Sequence, residues 1–225
     1  MSPSAKKRSA ARGPRAAARE ARESLYREHI LAAAERVFAD KAFELAKVQD
    51  ISQAAGLSMG SIYALFPGKE QIYAAIVDRR AAELLELVRG IAGSGAGPLE
   101  TLEALAAAYI DYFFARPDFL RMNLRTEAAW ALTSGAQSGI AEEIHRFQAG
   151  IFARGIEARV FVDEDPAYLA ILFSGIDQIH LAHWVETGMK ASREDLIAGF
   201  QRVVRRTFLR RNGRNGRDDR DDRDA

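Results

Sequence analysis

The chain has 225 residues, of which 48% are hydrophobic and 28% are charged, and its formal net charge is +1 at pH 7. This composition is typical of a globular protein with one large core or two smaller ones, and it excludes a chain that is disordered throughout. There is no cysteine, which excludes disulfides, thiolate zinc sites and cysteine nucleophiles.

The N-terminal segment is strongly basic. The first 27 residues contain eight Lys or Arg against only Glu20 and Glu23. They lack the continuous apolar segment of a secretory signal, so we expect a cytoplasmic protein. We predict residues 1–23 to be a basic disordered arm that suits a polyanion, the alternative being a merely solubilising tail.

Apolar residues recur at helical spacing along nearly the whole chain, and no short run alternates as a half-buried strand would. The predicted fold class is therefore all-α. The GSGAGP stretch at 93–98 separates an N-terminal unit from a larger C-terminal one. The most apolar later stretch, 168–179, is short for a bilayer and carries Asp177, so it predicts a buried helix and no membrane partner.

The N-terminal unit is predicted to contain three helices and the start of a fourth. An apolar stripe indicates a first helix from about Ser24 to Ala39, and shorter helices follow at about 47–55 and 58–65. Between them, Gly56 can adopt the positive φ that ends a helix, and Ser58 can cap the next one. The fourth helix, residues 69–90, connects this unit to the rest of the chain.

Two short helices joined by a tight glycine turn indicate a helix-turn-helix when their apolar residues can pack together. Val48 and Ile51 can face the core from the second helix, and Ile62 and Phe66 from the third. The opposite face of the third helix would then fit the major groove of DNA. Residues 24–70 are therefore predicted to form a three-helix DNA-binding domain.

The run VQDISQAAGLSMGSIYALFPGKEQIYAAIV resembles the DNA-binding signature of the tetracycline-repressor (TetR) family, and the resemblance covers about residues 24–75. It implies that the third helix contacts bases and phosphates, and that the lysine opening the fourth helix binds a phosphate. Carried over by position, these roles fall to Ser58, Met59, Gly60, Ser61, Tyr63 and Lys69.

Three positions depart from the family pattern. Ala46 stands where Thr or Ser often caps the second helix, so Lys47 is expected to supply that phosphate contact instead. Leu65 stands where His or Tyr is common, which removes one phosphate hydrogen bond. Ala42 replaces a frequent glycine, so the family-typical turn after the first helix is in doubt.

Charge is nearly balanced in the predicted DNA-binding head. Residues 28–80 contain six basic and seven acidic side chains. We therefore expect residues 6–27 to provide much of the salt-dependent affinity for double-stranded DNA, by counterion release.

The second unit, residues 91–211, is predicted to be a ligand-binding and dimerisation domain. Five helices are expected, at about 98–115, 118–132, 137–160, 166–187 and 192–211. Residues 212–225 mix charges without apolar side chains and are predicted to be a disordered tail.

The resemblance implies a homodimer in which the last two helices form a four-helix bundle across a two-fold axis. A dimer would also match a palindromic operator. The candidate contacts are Leu169, Leu172, Ile176, Ile179, Leu196, Phe200, Val203, Val204 and Phe208.

Aromatic residues are concentrated in the second unit among a few polar ones, as in ligand pockets. This pattern predicts a hydrophobic or aromatic small-molecule effector, although each aromatic residue alone is more often plain core. The candidate ligand-binding residues are Tyr109, Phe113, Met122, Trp130, His145, Phe173, Asp177, His180 and Trp184. Asp177, His180 and Trp184 can share one helix face and are the preferred group, although His180 could be a satisfied core histidine.

Asp177, His180 and His183 would also permit a metal site, but His183 is rotated away and no fourth ligand is evident. No metal or cofactor is therefore expected. The sequence also lacks a G-x-S-x-G elbow and P-loop spacing, so an enzyme is not indicated.

Two functions are compatible with these features of the sequence. The first is a repressor that an inducer releases from its operator by displacing the fourth helix and changing the spacing of the two reading heads. Repression is preferred to activation because the resembled family mostly represses. The second is a ligand-independent architectural DNA-binding protein, which a fully packed second unit would favour.

Overall fold

A computed structural model describes residues 14–125 and 139–210. Within these ranges the chain forms nine helices and no strand, with one isolated bridge between Phe161 and Leu209. The all-α prediction is confirmed. The helices are α1 (Pro14–Asp40), α2 (Val48–Ala55), α3 (Met59–Tyr63), α4 (Lys69–Ala92), α5 (Pro98–Phe114), α6 (Pro117–Arg125), α7 (Gly139–Glu157), α8 (Pro166–Glu186) and α9 (Arg193–Phe208).

The chain divides into two compact units, residues 1–79 and 80–225, with the boundary inside α4. None of the described helices is long and apolar enough to cross a membrane. Trp130, most of the predicted arm and the predicted tail lie outside the described residues.

Helix α1 begins ten residues earlier than the predicted Ser24, so the prediction of disorder was wrong for residues 14–23. These residues are rich in Ala, Arg and Glu, which favour helix without any apolar stripe. An ion pair between Arg19 and Glu23, 2.8 Å apart at spacing i,i+4, adds a small stabilisation. The basic segment therefore continues α1 as an exposed helix.

The core of the first unit contains one apolar face from each of its helices. Ile30 and Phe38 of α1, Ile51 of α2, Ile62 of α3 and Ile72 of α4 are all buried. A five-residue helix such as α3 has little stability alone, so this packing fixes it in place. The exposed side of α3 is thereby held at a defined orientation.

The core of the second unit is built around a cluster of phenylalanines. Phe152 packs against Phe161 and Phe208, and Phe173 stacks on Phe200. Full burial of each ring contributes about 1.5–3 kcal/mol. The cluster ties α7, α8 and α9 together, and it accounts for several aromatic residues that sequence alone could not separate from a ligand site.

Candidate DNA-binding surface and ligand cavity

The turn between α2 and α3 follows the predicted chemistry. Gly56 has φ 62° and ψ 29°, the left-handed conformation that glycine tolerates best. Its N–H donates to the Gln53 carbonyl at 3.2 Å, and the Leu57 N–H donates to the Ser52 carbonyl at 3.1 Å. The Ser52 hydroxyl donates to the Leu57 carbonyl at 2.6 Å. The turn therefore holds α3 rigidly on α2.

Helix α3 buries Ile62 and exposes its opposite side. Ser58 caps the helix, because its hydroxyl oxygen accepts the Ser61 N–H at 3.1 Å. The Ser58 and Ser61 hydroxyls also share a hydrogen bond of 2.9 Å. The remaining side, which we call the reading face, consists of Ser58, Met59, Gly60, Ser61 and Tyr63; Met59 is half-buried and the others are exposed.

A carboxylate replaces the missing hydroxyl cap of α2. Lys47 occupies the N-cap position, and its N–H donates to Asp50 at 2.9 Å, while the Lys41 ammonium donates to the same carboxylate at 2.7 Å. Lys41, together with the Lys47 amide, holds the pKa of Asp50 below its usual value. The Lys47 side chain is exposed beside this cap.

Lys69, which the resemblance assigned to a phosphate, is engaged inside the domain. Its ammonium donates to the carbonyls of Phe43, Glu44 and Ala46 at 2.7, 3.2 and 3.1 Å. It also lies 4.5 Å from the centre of the Phe43 ring. All three protons are used, so a phosphate contact would require these bonds to be released.

The turn that Lys69 supports forms without glycine. The Ala42 carbonyl accepts the N–H groups of Leu45 and Ala46 at 3.0 and 3.1 Å. Among the described non-glycine residues only Arg159 and Met189 have positive φ, so Ala42 needs no left-handed conformation.

Arg27, counted with the basic arm in the sequence, also has an internal role. Its guanidinium donates to the Leu65 carbonyl at 2.9 Å and lies 4.3 Å from the centre of the Phe66 ring. His29 of the same helix bonds to the Ala55 carbonyl at 2.8 Å. These contacts anchor α1 to the ends of the two helix-turn-helix helices.

The second unit contains a small, mostly apolar cavity of about 80 Å³. Four predicted ligand residues line it: Tyr109, Phe113, His145 and Asp177. The other lining residues are Ala81, Leu84, Leu120, Asn123, Leu124, Ala141, Ile144, Ser174, Gln178 and Leu181.

Polar groups are fixed on one side of this cavity. The buried Gln148 amide donates to the Tyr109 hydroxyl at 3.0 Å, and the Ser174 hydroxyl donates to the Gln148 carbonyl oxygen at 3.2 Å. Asp177 is only 7% exposed, and burial raises its pKa to about 7. Burial also lowers the pKa of His145.

The remaining described candidates point elsewhere. Met122 and Phe173 are core residues that do not line the cavity. His180 bonds to the Leu196 carbonyl at 3.0 Å and stacks on Phe200, which makes it a satisfied core histidine. Trp184 stacks on Phe114 with ring centres 5.2 Å apart. The preferred group of Asp177, His180 and Trp184 is therefore not brought together.

Apolar residues of α8 and α9 divide into inner and outer sets. Leu169, Leu196, Phe200, Val204 and Phe208 are buried in the protomer's own core, so the prediction that they form dimer contacts was wrong. Leu172 and Ile176 are half-buried, while Ile179 and Val203 are exposed. Tyr168 and Ile171, absent from the prediction, are also exposed on α8.

No group of three metal-binding side chains occurs among the described residues. His183, the third member of the metal alternative, is exposed at the end of α8.

The packed turn and the exposed α3 define a DNA-binding domain of the helix-turn-helix class. Residues 30–76 match the sequence model of the family described as bacterial regulatory proteins, tetR family. The DNA-binding part of the chain is therefore similar to that of the tetR family, whose members are DNA-binding transcription factors and not enzymes.

Solved structures share the fold over most of the chain. The fatty acid degradation regulator FadR from Bacillus halodurans has a TM-score of 0.70 at 18% identity, covering 86% of this chain and 96% of that one. A TetR/AcrR regulator from Thermobifida fusca has a TM-score of 0.61 at 20% identity, with coverages of 82% and 98%. A TetR-family regulator from Pectobacterium atrosepticum has a TM-score of 0.56 at 22% identity, with coverages of 82% and 92%. No curated protein sequence matches the chain.

Proposed function

We propose that the chain is a homodimeric, ligand-responsive transcriptional regulator, acting as a repressor that a small molecule releases from a palindromic operator. The observation that carries this proposal is the reading face of α3, which is exposed while Ile62 anchors the helix from behind. A helix presented in this way fits the major groove. We place its action in the cytoplasm, where bacterial operator DNA is accessible.

The DNA contacts are assigned within this proposal. Tyr63 and Ser61 supply hydrogen-bonding groups on the reading face, and Gly60 permits close approach of the helix backbone to DNA. Lys47 supplies a phosphate contact, and the exposed basic part of α1 supplies further ones through Arg15, Arg19 and Arg22. Phosphate contacts add affinity and salt dependence, whereas contacts to base edges add specificity.

The cavity supports the ligand-responsive form of the proposal over a purely architectural DNA-binding role. Its volume of about 80 Å³ has room for only a few water molecules. Typical ligand pockets are about 300–1,000 Å³, so an effector must push the walls apart. Binding would therefore favour a different arrangement of the lining helices.

Helix α4 offers a route from the effector to DNA. Ala81 and Leu84 of this helix line the cavity, and Ile72 and Ile76 of the same helix belong to the core of the first unit. An effector that displaces the cavity part of α4 would therefore act on the DNA-binding unit through one continuous helix. Release from DNA requires the effector to prefer the arrangement that cannot span both operator half-sites.

We expect the effector to have an apolar part, because most of the residues that line the cavity are apolar. Two of the structural neighbours are described as fatty acid regulators, FadR among them, but at 18% and 16% identity only the fold is shared. Fatty acids are therefore one class to test and not an inherited assignment.

The experiment that tests the proposal is selection of bound sequences from a random DNA pool with the full chain at two salt concentrations. We expect one palindromic sequence, bound by two chains, at both concentrations. Recovery of no preferred sequence, together with loss of binding at the higher salt, would leave only non-specific binding by the basic helix and would contradict the proposal.

A further inference from the structure

Among the described residues that line the cavity, Asp177 is the one with an acidic side chain. It is 7% exposed, and its Oδ1 atom receives no hydrogen bond from the described residues. A buried polar atom without a hydrogen-bond partner is unfavourable for folding, and most buried polar atoms in proteins are therefore paired. Here the atom lies at the wall of a space that a ligand can enter.

The described residues around Asp177 provide no permanently charged cation. The described lining residues include no Lys or Arg, and the basic side chain among them is His145 of α7. Burial lowers the pKa of His145, so its imidazole is neutral near pH 7. The Tyr109 hydroxyl of α5 accepts a hydrogen bond from Gln148, and no described residue donates to Asp177 Oδ1. No cation among the described lining residues therefore balances the charge of an ionised Asp177.

We propose that the effector is a mainly apolar molecule carrying a positively charged, hydrogen-bond-donating nitrogen, which binds the Asp177 carboxylate inside the cavity. This inference rests on the proposed function, in which the cavity is the effector site. The apolar part would contact Leu84, Phe113, Leu120 and Leu181.

Two physical effects favour a cation over an anion at this site. An ammonium group donates to the unpartnered oxygen and cancels the charge of the carboxylate, and charge-assisted hydrogen bonds are the stronger ones. An anionic ligand would instead place two carboxylates close together in an apolar space, where one of them must take up a proton. Burial alone already raises the pKa of Asp177 to about 7, with no neighbouring cation acting in the opposite direction.

The test compares three probes of equal chain length: hexylamine, hexanol and hexanoate. Calorimetric titration of the full chain at pH 8, where Asp177 is ionised, measures the three affinities. We expect hexylamine to bind about tenfold or more tightly than hexanoate, as one charge-assisted hydrogen bond implies.

Two variants test whether the Asp177 carboxylate itself, and not a general change in the protein, determines the affinity for hexylamine. D177N keeps the size of the side chain and should weaken hexylamine by about tenfold while leaving hexanol nearly unchanged. D111N is the matched control, because Asp111 is a carboxylate of α5 that pairs with Arg193 and does not line the cavity. It should leave all three affinities unchanged. If D177N does not fold, the order of the three probe affinities for the natural chain still tests the inference.

The inference is overturned if hexanoate binds as tightly as hexylamine, if D177N leaves hexylamine affinity unchanged, or if none of the three probes binds. Operator affinity, measured in parallel on the selected palindrome, separates this inference from the proposed function. Release by hexanoate or hexanol alone would overturn the inference and leave the regulator standing. Hexylamine binding that depends on Asp177 but leaves operator affinity unchanged would support the inference and count against ligand-controlled release.

Discussion

Asp177 should make the stability of the protein depend on pH. Its pKa is about 7 in the folded chain against an ordinary value of 3.8, so between these values the folded state holds a proton that the unfolded state has lost. Stability should therefore fall as pH rises through this window, by about 1.4 kcal/mol per pH unit, and the loss should be constant above pH 7. In D177N this loss is absent.

Chemical denaturation of both chains from pH 4 to pH 8 tests this. The free energy of unfolding of D177N minus that of the natural chain should rise across the window and then level off. Other titrating groups, including His145 beside the cavity, are common to both chains and cancel. A difference that is independent of pH would show that Asp177 is solvated or paired in the folded protein.

Substitutions of Lys69 and Lys47 should have different effects on stability and on DNA binding. Lys69 bonds to three carbonyls of the turn after α1, so K69M should lower the free energy of unfolding by about 1–3 kcal/mol. The Lys47 side chain is exposed, and its bond to Asp50 comes from the backbone N–H, which the substitution keeps, so K47M should leave stability unchanged and weaken DNA binding. Denaturation and operator titration of the two variants give the comparison; equal stability of K69M and K47M would contradict the structural role of Lys69.

Alanine substitutions of two glycines test the role of helix α3 in DNA binding and the role of the turn before it in stability. A Cβ added at Gly60 would meet only the Ser58 hydroxyl, at 3.8 Å, so G60A should fold normally while its methyl group hinders close approach to DNA. Gly56 has φ +62°, so G56A should destabilise the domain by about 1–2 kcal/mol. Thermal denaturation and operator affinity are measured for both; full operator affinity of G60A would show that DNA does not approach this position.

The helices differ in how far sequence could predict them. The ends of α2 and α3 follow from local chemistry at Gly56 and Ser58, and Pro98, Pro117 and Pro166 mark the starts of α5, α6 and α8. The early start of α1 was missed because an apolar stripe is not required where Ala, Arg and Glu favour helix on their own.

The cavity was harder to predict because its walls come from α4, α5, α6, α7 and α8. Asp177, Tyr109 and His145 were found through their polarity among aromatic residues, whereas Ala81 and Leu84 carry no signal that separates them from ordinary core. Helix α8 is apolar on several sides, so the sequence could not distinguish Phe173, which faces the core, from Ile179, which faces outward.

The exposed apolar residues of α8 and α9 should form the interface of the homodimer. Ile179 is 66% exposed, so I179E would place a charge in that interface and should convert the dimer to a monomer while the fold is kept. L45E is the control, because Leu45 is 72% exposed in the first unit. Analytical ultracentrifugation measures both; a dimeric I179E would place the interface elsewhere.

If α3 reads DNA sequence, removal of the Tyr63 side chain should weaken binding to one sequence more than to another. Its side chain is 51% exposed on the reading face and its removal leaves the core intact. The measurement is the affinity of Y63A for the selected palindrome and for a scrambled duplex, with D78A, an exposed change on α4, as the control. We predict that Y63A weakens palindrome binding by about tenfold or more and leaves scrambled binding nearly unchanged, since loss of a base contact costs about 1–3 kcal/mol. Equal affinities of Y63A and D78A for the palindrome, or equal losses by Y63A on both duplexes, would show that Tyr63 does not read the DNA sequence.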